Sequence, residues 1–308
     1  MATNPLVSIV LGTYNGEKYL KEQIDSIFRQ TYPNIEFIIT DDCSTDSTPA
    51  ILREFASKHE NVHVYFNETN LGLVRNFEKA VKYAQGEYIA FADQDDIWLP
   101  EKIQRLVDNI GDNMLIHHDS AYIDADGNLI GKKSSDYRHL ITGKNLYVMD
   151  IDESGLWVAA HSMMFRRELL DLALPFTPSI NHDGWIAYIA MLKGTIAVVP
   201  EVLVLYRQHG NNLVGGLGYR KMAKKNITVD TQNDEPQKYK RFDALLSLVP
   251  DTESEFREFL NKMRTYTIDP VFSNRIKRMA LRLKYINQLY ALRKRNMLRK
   301  IFRIIREF

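Results

Sequence analysis

Residues 88–98 read YIAFADQDDIW, an apolar run that ends abruptly in three carboxylates. The first five residues are apolar without alternation, which is typical of a parallel strand covered on both faces. Asp93, Asp95 and Asp96 therefore follow the carboxyl end of a predicted buried strand. Open α/β sheets bind their ligands at that edge, so this stretch predicts both the sheet and the position of a site.

The three acids favour a divalent cation. Carboxylates this close repel each other by about 1 kcal/mol or more unless a cation lies between them. Oxygen ligands favour Mg²⁺ or Mn²⁺, which enzymes often hold with one or two carboxylates and substrate phosphates. The alternative is a solvated acidic turn in which Asp95 or Asp96 caps a helix over residues 98–107. This stretch alone leaves both interpretations open.

The order strand, polar loop, helix recurs three times before residue 88. Strands are predicted at 7–12, 35–40 and 62–66, and helices at about 19–28, 49–58 and 73–84. Four strands alternating with three helices imply right-handed crossovers and a mostly parallel central sheet, an α/β fold. The chain has neither a Gly-x-Gly-x-x-Gly fingerprint nor a Walker phosphate loop, which disfavours dinucleotide oxidoreductases and P-loop NTPases.

The pattern is looser after Trp98. Extended segments are predicted at 114–117, 157–165 and 195–205, and helices at 166–172 and 180–191. Residues 124–127, DADG, indicate a hairpin turn; the twelfth position of a calcium loop would need an acid that is absent. A polar segment at 226–237 predicts the boundary between a domain of residues 1–225 and a helical region of residues 226–308.

Composition indicates an ordinary globular protein with an unusual charge distribution. Of 308 residues, 45% are hydrophobic and 26% charged, which excludes disordered and collagen-like classes. The net charge of +1 hides twelve Lys or Arg against one acid from Arg275 onward, so the first 274 residues carry about −10.

The single Cys43 excludes an intrachain disulfide and fits a reducing compartment. No secretory leader or window of about 20 apolar residues is found, so we expect a cytoplasmic protein, peripheral at the inner face of a membrane.

The C-terminal region is predicted to be helical and, toward its end, amphipathic and basic. Apolar residues recur at helical spacing over 276–290, and residues 292–308 mix Leu, Ile and Phe with Arg and Lys. Such helices can lie on anionic lipid, or they can pack on the core with a solvated basic face. They could also form a homodimer interface. Nucleic acid is disfavoured because no recognised binding module accompanies the charge.

Six segments in order resemble one known family. They are GTYNG, DDCSTDST, NLGLVRN, FADQDDIW, NHDGW and YRQHGNN, and together they cover about residues 5 to 215. The set resembles a family 2 glycosyltransferase with the GT-A fold, and DQDDIW and YRQHGNN are most similar to the bacterial rhamnosyltransferase-like branch, whose donor is dTDP-L-rhamnose. The resemblance implies a GT-A-type nucleotide-binding fold, a Mn²⁺ or Mg²⁺ cofactor and a nucleotide-sugar donor.

The resemblance also implies a role for each matching residue. Asp183 of NHDGW matches the catalytic base, because an acceptor hydroxyl must lose its proton opposite the leaving diphosphate. The nucleotide would be bound by Thr13, Tyr14, Asn15, Asp41, Asp42, Arg75, Asn76 and Asp93. The metal would be bound by Asp93, Asp95 and His209. The acceptor or sugar pocket would be lined by Trp98, Trp157, His161, His182, Trp185 and Arg207.

Four residues, at three places in the chain, depart from the family pattern. Cys43 stands where glycine is usual, Gly184 replaces a common aromatic residue, and Ala160–His161 occupies a place where the branch often has Gly-Cys. The last two changes border the predicted acceptor and sugar pocket.

The leading hypothesis is an inverting, metal-dependent glycosyltransferase that uses a dTDP- or UDP-sugar and a lipid-linked or polysaccharide acceptor in bacterial surface glycan synthesis. The alternatives are a UDP-hexose-dependent transferase of the same fold and a non-catalytic nucleotide-sugar-binding or membrane scaffold protein. A nucleotidyltransferase is disfavoured because its glycine-rich, basic N-terminal loop is absent.

Overall fold

A mixed sheet forms the centre of the computed structural model, which describes residues 4–137, 139–148, 158–210, 235–269, 271–289 and 297–306. Within these residues the sheet has nine strands, in the order β3-β2-β1-β4-β8-β6-β9-β5, with β7 paired to β6. The strands are β1 Val7–Thr13, β2 Ile35–Asp41, β3 Val62–Phe66, β4 Tyr88–Ala92, β5 Ile97–Trp98, β6 Leu115–Ile123, β7 Leu129–Lys133, β8 Met163–Arg166 and β9 Ile196–Arg207.

Helices cover both faces of the sheet and continue to the end of the described chain. They are α1 Leu20–Phe28, α2 Thr48–Lys58, α3 Leu73–Val81, α4 Lys102–Asn109, α5 Leu170–Ala173, α6 His182–Lys193, α7 Glu235–Leu248, α8 Ser254–Ile268, α9 Phe272–Lys284, α10 Ile286–Leu289 and α11 Met297–Arg306. Short 3-10 turns link several of them. The predicted α/β fold with a C-terminal helical region is confirmed.

The first four strands in the spatial order, β3, β2, β1 and β4, pair in parallel. Their side chains alternate between two hydrophobic clusters, so that Val10 and Phe91 pack on one face and Ile9 and Ala90 on the other. Burial on both faces explains why these strands are apolar without alternation. Their carboxyl ends meet at one edge, and the loops that carry the predicted nucleotide and metal residues begin there.

The remaining strands close the sheet around the acidic turn. β8 is antiparallel to both β4 and β6, whereas β6 and β9 are parallel. The short strand β5 pairs antiparallel with the end of β9, where Ile97 lies opposite Leu205. Residues 93–96 are therefore held between β4 and β5, beside the end of β9.

Two sequence-based assignments are wrong. The helix predicted over 98–107 begins only at Lys102, because Ile97 and Trp98 pair with β9 as a strand. Asp95 and Asp96 consequently cap no helix. The strand predicted over 157–165 is restricted to β8, since Ala160–Ser162 forms a 3-10 turn; residue 157 lies outside the described residues.

The C-terminal helices share a hydrophobic core with α6. Phe242, Phe259, Leu289 and Ile304 belong to the same buried cluster as Tyr188 of α6, and the Tyr188 hydroxyl donates to the Leu245 carbonyl at 3.1 Å. Core packing is therefore the observed arrangement for most of the apolar positions at 276–289. The predicted domain boundary at 225–226 falls outside the described residues. Among the described helices, none combines the length and apolarity needed to cross a membrane.

The loop after β2 contains a left-handed residue that is not glycine. Cys43 has φ 63°, a conformation that costs L-residues roughly 1–2 kcal/mol and glycine almost nothing. Cys43→Gly relieves this strain but also increases the entropy of the unfolded chain. We therefore expect the free energy of unfolding of this variant to stay within about 1 kcal/mol of the wild-type value. The β-branched variant Cys43→Val should lose about 1–2 kcal/mol more, as measured by denaturant unfolding. A larger loss of unfolding free energy in the glycine variant would show that packing of the Cys43 thiol, not backbone strain, dominates the stability at this position.

Candidate active site

Asp41 ties together the loops that follow β1 and β2. Its Oδ1 accepts from the Thr13 hydroxyl at 2.9 Å and from the Ser44 hydroxyl at 2.6 Å, and its Oδ2 accepts from the Ser44 N–H at 3.0 Å. Asn15, whose φ is 48°, donates its N–H to Ser44 Oγ and accepts the Thr45 N–H on its side-chain oxygen. These two loops therefore form one rigid rim at the carboxyl edge of the sheet.

Asp42 organises the third loop of the rim. It is buried and accepts from the Leu71 N–H at 2.7 Å, the Gly72 N–H at 2.9 Å and the Asn67 amide at 2.9 Å. Asn76 at the start of α3 is also buried; its amide donates to the Thr40 carbonyl, and its oxygen accepts from Asn67. The predicted nucleotide residues are thus brought together at one edge, with Asp41, Asp42 and Asn76 as its scaffold.

Two other predicted nucleotide residues reach the surface of this rim. Tyr14 is 48% exposed, which leaves its ring open to stack on a planar ligand. Arg75 on α3 is partly exposed and pairs with the buried Glu78, which Lys82 also contacts. Glu78 keeps a lowered pKa; burial opposes ionisation, and the hydrogen bonds from Lys82 and Arg75 outweigh it.

Gln94, which the motif analysis left without a role, links this rim to the acidic turn. Its Oε1 accepts the Tyr14 N–H at 2.9 Å, and its Nε2 donates to the Tyr14 carbonyl at 3.1 Å. Gly16 leaves room for this contact, since a Cβ there would come within 2.3 Å of Gln94 Oε1. The side chain between two acids of the turn therefore sets the position of Tyr14.

Asp93, Asp96 and His161 form a compact polar cluster. Each offers one ligand atom, and the three atoms lie within 4.8 Å of one another. His161 Nδ1 lies 3.5 Å from Asp93 and 3.7 Å from Asp96, while its Nε2 contacts the Ser120 hydroxyl at 3.0 Å. The His161 ring also stacks on Tyr206 at 4.4 Å. His161, predicted to line the sugar pocket, lies against the acids.

The two carboxyls of this cluster differ in pKa. Burial, followed by the charges of Asp95 and Asp93, raises the pKa of Asp96 well above its ordinary value. Burial would also raise the pKa of Asp93, but its interactions with His161 outweigh this effect and lower it. Asp96 Oδ1 accepts the Arg207 N–H at 3.0 Å, and its buried Oδ2 has no hydrogen-bond partner among the described residues. Protonation is therefore favoured at Asp96 and disfavoured at Asp93.

Asp95 faces the other side of the turn. Its Oδ2 lies 2.8 Å from His209 Nε2, and both side chains are partly accessible. The residues predicted from the motifs as one metal set are therefore divided, because Asp93 clusters with Asp96 and His161, and Asp95 pairs with His209. The metal set implied by the family resemblance leaves out Asp96, although the three acids of the turn had already indicated it as a ligand candidate.

Arg207 supports the turn from below. It is buried; its guanidinium donates to the carbonyl of Asp95 at 2.8 Å and to that of Ala125 at 3.1 Å, and it pairs with Glu22 of α1. The structure thus places Arg207 under the acids, not on the surface of a sugar pocket. It joins α1, the acidic turn and the β6–β7 hairpin.

Asp183 lies in the first turn of α6, close enough to Asp93 to feel its charge. Burial raises the pKa of the Asp183 carboxyl to about 7; the Gly184 N–H, 2.7 Å from Oδ1, opposes the rise, and the Asp93 charge adds to it. A carboxyl with this pKa can accept a proton near neutral pH.

The remaining predicted pocket residues lie behind the site. His182 is buried and stacks on Phe77 at 4.0 Å, and burial lowers its pKa to about 4. Trp185 is buried and donates its indole N–H to the Ala173 carbonyl. Trp98 is buried under the ammonium of Lys102, which also donates to the His161 carbonyl at 2.6 Å. Trp157 lies outside the described residues.

The residues of the turn fit a divalent cation. Carboxylates and imidazoles are ligands of Mn²⁺, and carboxylates of Mg²⁺. The Asp96 Oδ2, which has no hydrogen-bond partner in the described part of the chain, and the accumulation of acids are both features that a cation would stabilise.

The sequence profile described as Glycosyl transferase family 2 matches residues 8–172, more than half of the chain. The chain belongs to this family. An uncharacterized glycosyltransferase of Methanocaldococcus jannaschii is 40% identical over 213 residues, which cover 66% of this chain and 71% of that protein. An uncharacterized glycosyltransferase of Nostoc is 29% identical over 67% of this chain and 66% of its own length. TuaG of Bacillus subtilis, whose name connects it with teichuronic acid biosynthesis, is 41% identical over 33% of this chain and 40% of its own length.

Two solved structures share the fold. S. aureus TarS 1–349 in complex with UDP-GlcNAc matches with a TM-score of 0.61 at 20% identity, covering 92% of this chain and 81% of that one. The mannosyltransferase PcManGT from Pyrobaculum calidifontis, in complex with GDP-Man and Mn²⁺, has a TM-score of 0.51 at 18% identity and coverages of 92% and 76%. The predicted GT-A-type fold and the predicted enzyme class, a glycosyltransferase, are confirmed.

We predict that Gln94 couples the nucleotide rim to the acidic turn in this glycosyltransferase. Gln94→Met keeps the length of the side chain but loses both hydrogen bonds to Tyr14, each worth about 1 kcal/mol. Calorimetric titration should show about tenfold weaker binding of UDP or dTDP and a smaller gain in affinity on adding Mn²⁺. Gln104→Met on the exposed face of α4 is the matched control. A lowered melting temperature with unchanged affinities would restrict Gln94 to a structural role.

Asp95→Asn and Asp96→Asn distinguish the two candidate ligand sets. The Asp96 side chain is fully buried and that of Asp95 is partly accessible, so a diphosphate-bound ion can reach Asp95. We expect Asp95→Asn to abolish the Mn²⁺-dependent gain in nucleotide affinity. Asp96→Asn should retain part of this gain. Its free energy of unfolding should equal that of the wild type or exceed it by up to about 1 kcal/mol, because the amide replaces a buried carboxyl whose ionisation is opposed by burial and by the charges of Asp95 and Asp93. The reverse result in titration would assign the ion to Asp96 and His161.

Proposed function

We propose that the protein is an inverting, metal-dependent glycosyltransferase that moves one sugar from a nucleoside-diphosphate donor to an acceptor hydroxyl. The observation that carries the proposal is the position of Asp183, a buried carboxyl with a pKa of about 7, within electrostatic range of Asp93. A site with one base and a separate acidic cluster needs no carboxylate nucleophile. Single displacement with inversion is the reaction that such a site supports.

In the proposed reaction Asp183 accepts the proton of the acceptor hydroxyl. The hydroxyl oxygen forms a bond to the anomeric carbon, and the bond between that carbon and the diphosphate oxygen breaks on the opposite face. The electron pair of the broken bond leaves with the nucleoside diphosphate. The backbone N–H of Gly184 holds the Asp183 carboxylate, which fixes the direction of its second oxygen.

The nucleotide lies, in this proposal, on the rim formed by the loops after β1, β2 and β3. Tyr14 offers an exposed ring for stacking on the base, an interaction worth roughly 1 to 3 kcal/mol by analogy with base-stacking platforms. The carboxylates of Asp41 and Asp42 already accept hydrogen bonds from the protein, so they fix the shape of the base site. Recognition of the imide N–H by one of them would use a remaining lone pair.

Asp93, with either Asp95 and His209 or Asp96 and His161, would hold the divalent cation. The cation would supply positive charge to the departing diphosphate. Lowering of the Asp93 pKa by His161 keeps that carboxylate ionised and ready to bind a cation at neutral pH. Arg207 keeps the turn in place through the Asp95 carbonyl and the Asp96 carboxyl.

The proposed donor is a dTDP- or UDP-sugar. The motif resemblance favours dTDP-L-rhamnose, while a UDP-hexose is supported by TarS, which was solved with UDP-GlcNAc. The proposed acceptor is a lipid-linked or polysaccharide hydroxyl in surface glycan synthesis, which the name of TuaG supports. Residues 1–225 would form the transferase domain and residues 226–308 its helical appendage.

Asp183→Asn tests the mechanism. The amide cannot accept the proton, so turnover should fall about 100- to 10,000-fold while donor binding persists. In the wild type, turnover should rise with pH through about 7 as Asp183 ionises. The same raised pKa means that the folded state favours the protonated form, so the stability that this group contributes falls as pH rises from its ordinary pKa of 3.8 to about 7 and is constant above that. Asp183→Asn should remove that part of the pH dependence.

The assay measures transfer from a panel of dTDP-, UDP- and GDP-sugars, with thermal unfolding of both proteins between pH 5 and 9. Asp171→Asn, in the short helix α5, is a matched control. Full turnover in Asp183→Asn would exclude Asp183 as the base. Donor binding without turnover by the wild type on any donor and acceptor would favour a non-catalytic nucleotide-sugar-binding protein.

A further inference from the structure

The last helices carry a charge opposite to that of the rest of the chain. From Arg275 to the end there are twelve Lys or Arg and one Glu, whereas the first 274 residues hold 28 basic and 38 acidic residues. The basic residues are spread through α9, α11 and the segment between them. An anionic surface would therefore attract this end of the molecule and repel the remainder.

Only part of the apolar stripe of α11 is buried against the core. Ile304 is buried in the core that α6 shares, and Ile301 packs against that core. Leu298, seven residues before Ile305 and so on the same side of the helix, is 75% exposed, and Ile305 is 50% exposed. Packing on the core accounts for Ile301 and Ile304, whereas Leu298 and Ile305 remain largely exposed among the described residues.

Exposed apolar residues also occur at the start of α9, which packs against α11. Val271 is 51% exposed and Ile276 is 40% exposed. Lys277, next to Ile276, is also exposed. Both helices thus combine outward apolar side chains with neighbouring basic residues.

We propose that α9 and α11 bind the surface of an anionic lipid membrane. The contact face, here called the C-terminal basic face, consists of Val271, Ile276, Lys277, Leu298 and Ile305. Helices with a strongly basic polar face and an apolar stripe lie in the plane of the headgroups, with the apolar side chains at the acyl boundary. An anionic lipid surface would both bury the apolar side chains of this face and attract its basic residues, whereas nucleic acid would only attract the basic residues.

This proposal does not depend on the proposed reaction. The test is co-sedimentation of the full-length protein with vesicles of phosphatidylcholine alone, or of phosphatidylcholine mixed with phosphatidylglycerol, at low and high NaCl. We expect binding to the mixed vesicles that weakens as salt rises. Lys277→Gln should weaken it roughly fivefold, since a basic residue near such a surface contributes about 1 kcal/mol. Leu298→Asp should weaken it at least tenfold, because an apolar insertion is replaced by a repelled charge.

Leu129→Asp is the matched control, since Leu129 on β7 is 68% exposed and distant in sequence from the face. It should bind vesicles as the wild type does, and all variants should unfold at the wild-type temperature because the altered side chains are exposed. Three results would overturn the proposal: no vesicle binding, equal binding with neutral vesicles, or equal loss in Leu129→Asp. A dimer in light scattering that Leu298→Asp converts to a monomer would overturn it as well, by assigning the face to a second copy of this chain.

Discussion

The site depends on holding three carboxylates within four residues, although they repel one another. The turn is clamped because β4 enters it, β5 leaves it, and β5 is paired with the end of β9. Arg207 at that end contacts both Asp95 and Asp96. Burial, followed by the charges of Asp95 and Asp93, raises the pKa of Asp96, whereas the interactions with His161 outweigh burial and lower the pKa of Asp93. Holding these acids together lowers stability unless a cation lies between them.

The same turn is linked to the other parts of the candidate site by hydrogen bonds, an ion pair and an electrostatic interaction. Gln94 joins it to Tyr14 on the nucleotide rim, and the charge of Asp93 reaches Asp183 on α6. Arg207 joins it to α1 through Glu22. A change in the acids would therefore alter the rim and the proposed base together, and mutational effects at these residues should be non-additive.

The position of α6 links the proposed base to the C-terminal helices. Tyr188 of α6 donates to α7, and the cluster that buries it extends to Ile304 of α11. The C-terminal helices thus form part of the packing that fixes Asp183. If they also rest on a lipid surface, the distance between that surface and the base is set by this core, which suits a hydroxyl presented close to a membrane.

The sequence by itself determined the parallel half of the fold and the ordered loops, because strands buried on both faces are continuously apolar and ligand-binding loops follow their carboxyl ends. It also singled out the acids of the turn and Asp183 as candidate site residues. Only the tertiary structure decided how these residues combine. Trp98 lies in a strand because it pairs with β9, more than a hundred residues later in the chain. Arg207 donates a hydrogen bond to the Asp95 carbonyl, and Asp96 lies beside His161. Such contacts depend on residues distant in the chain, so no local pattern encodes them.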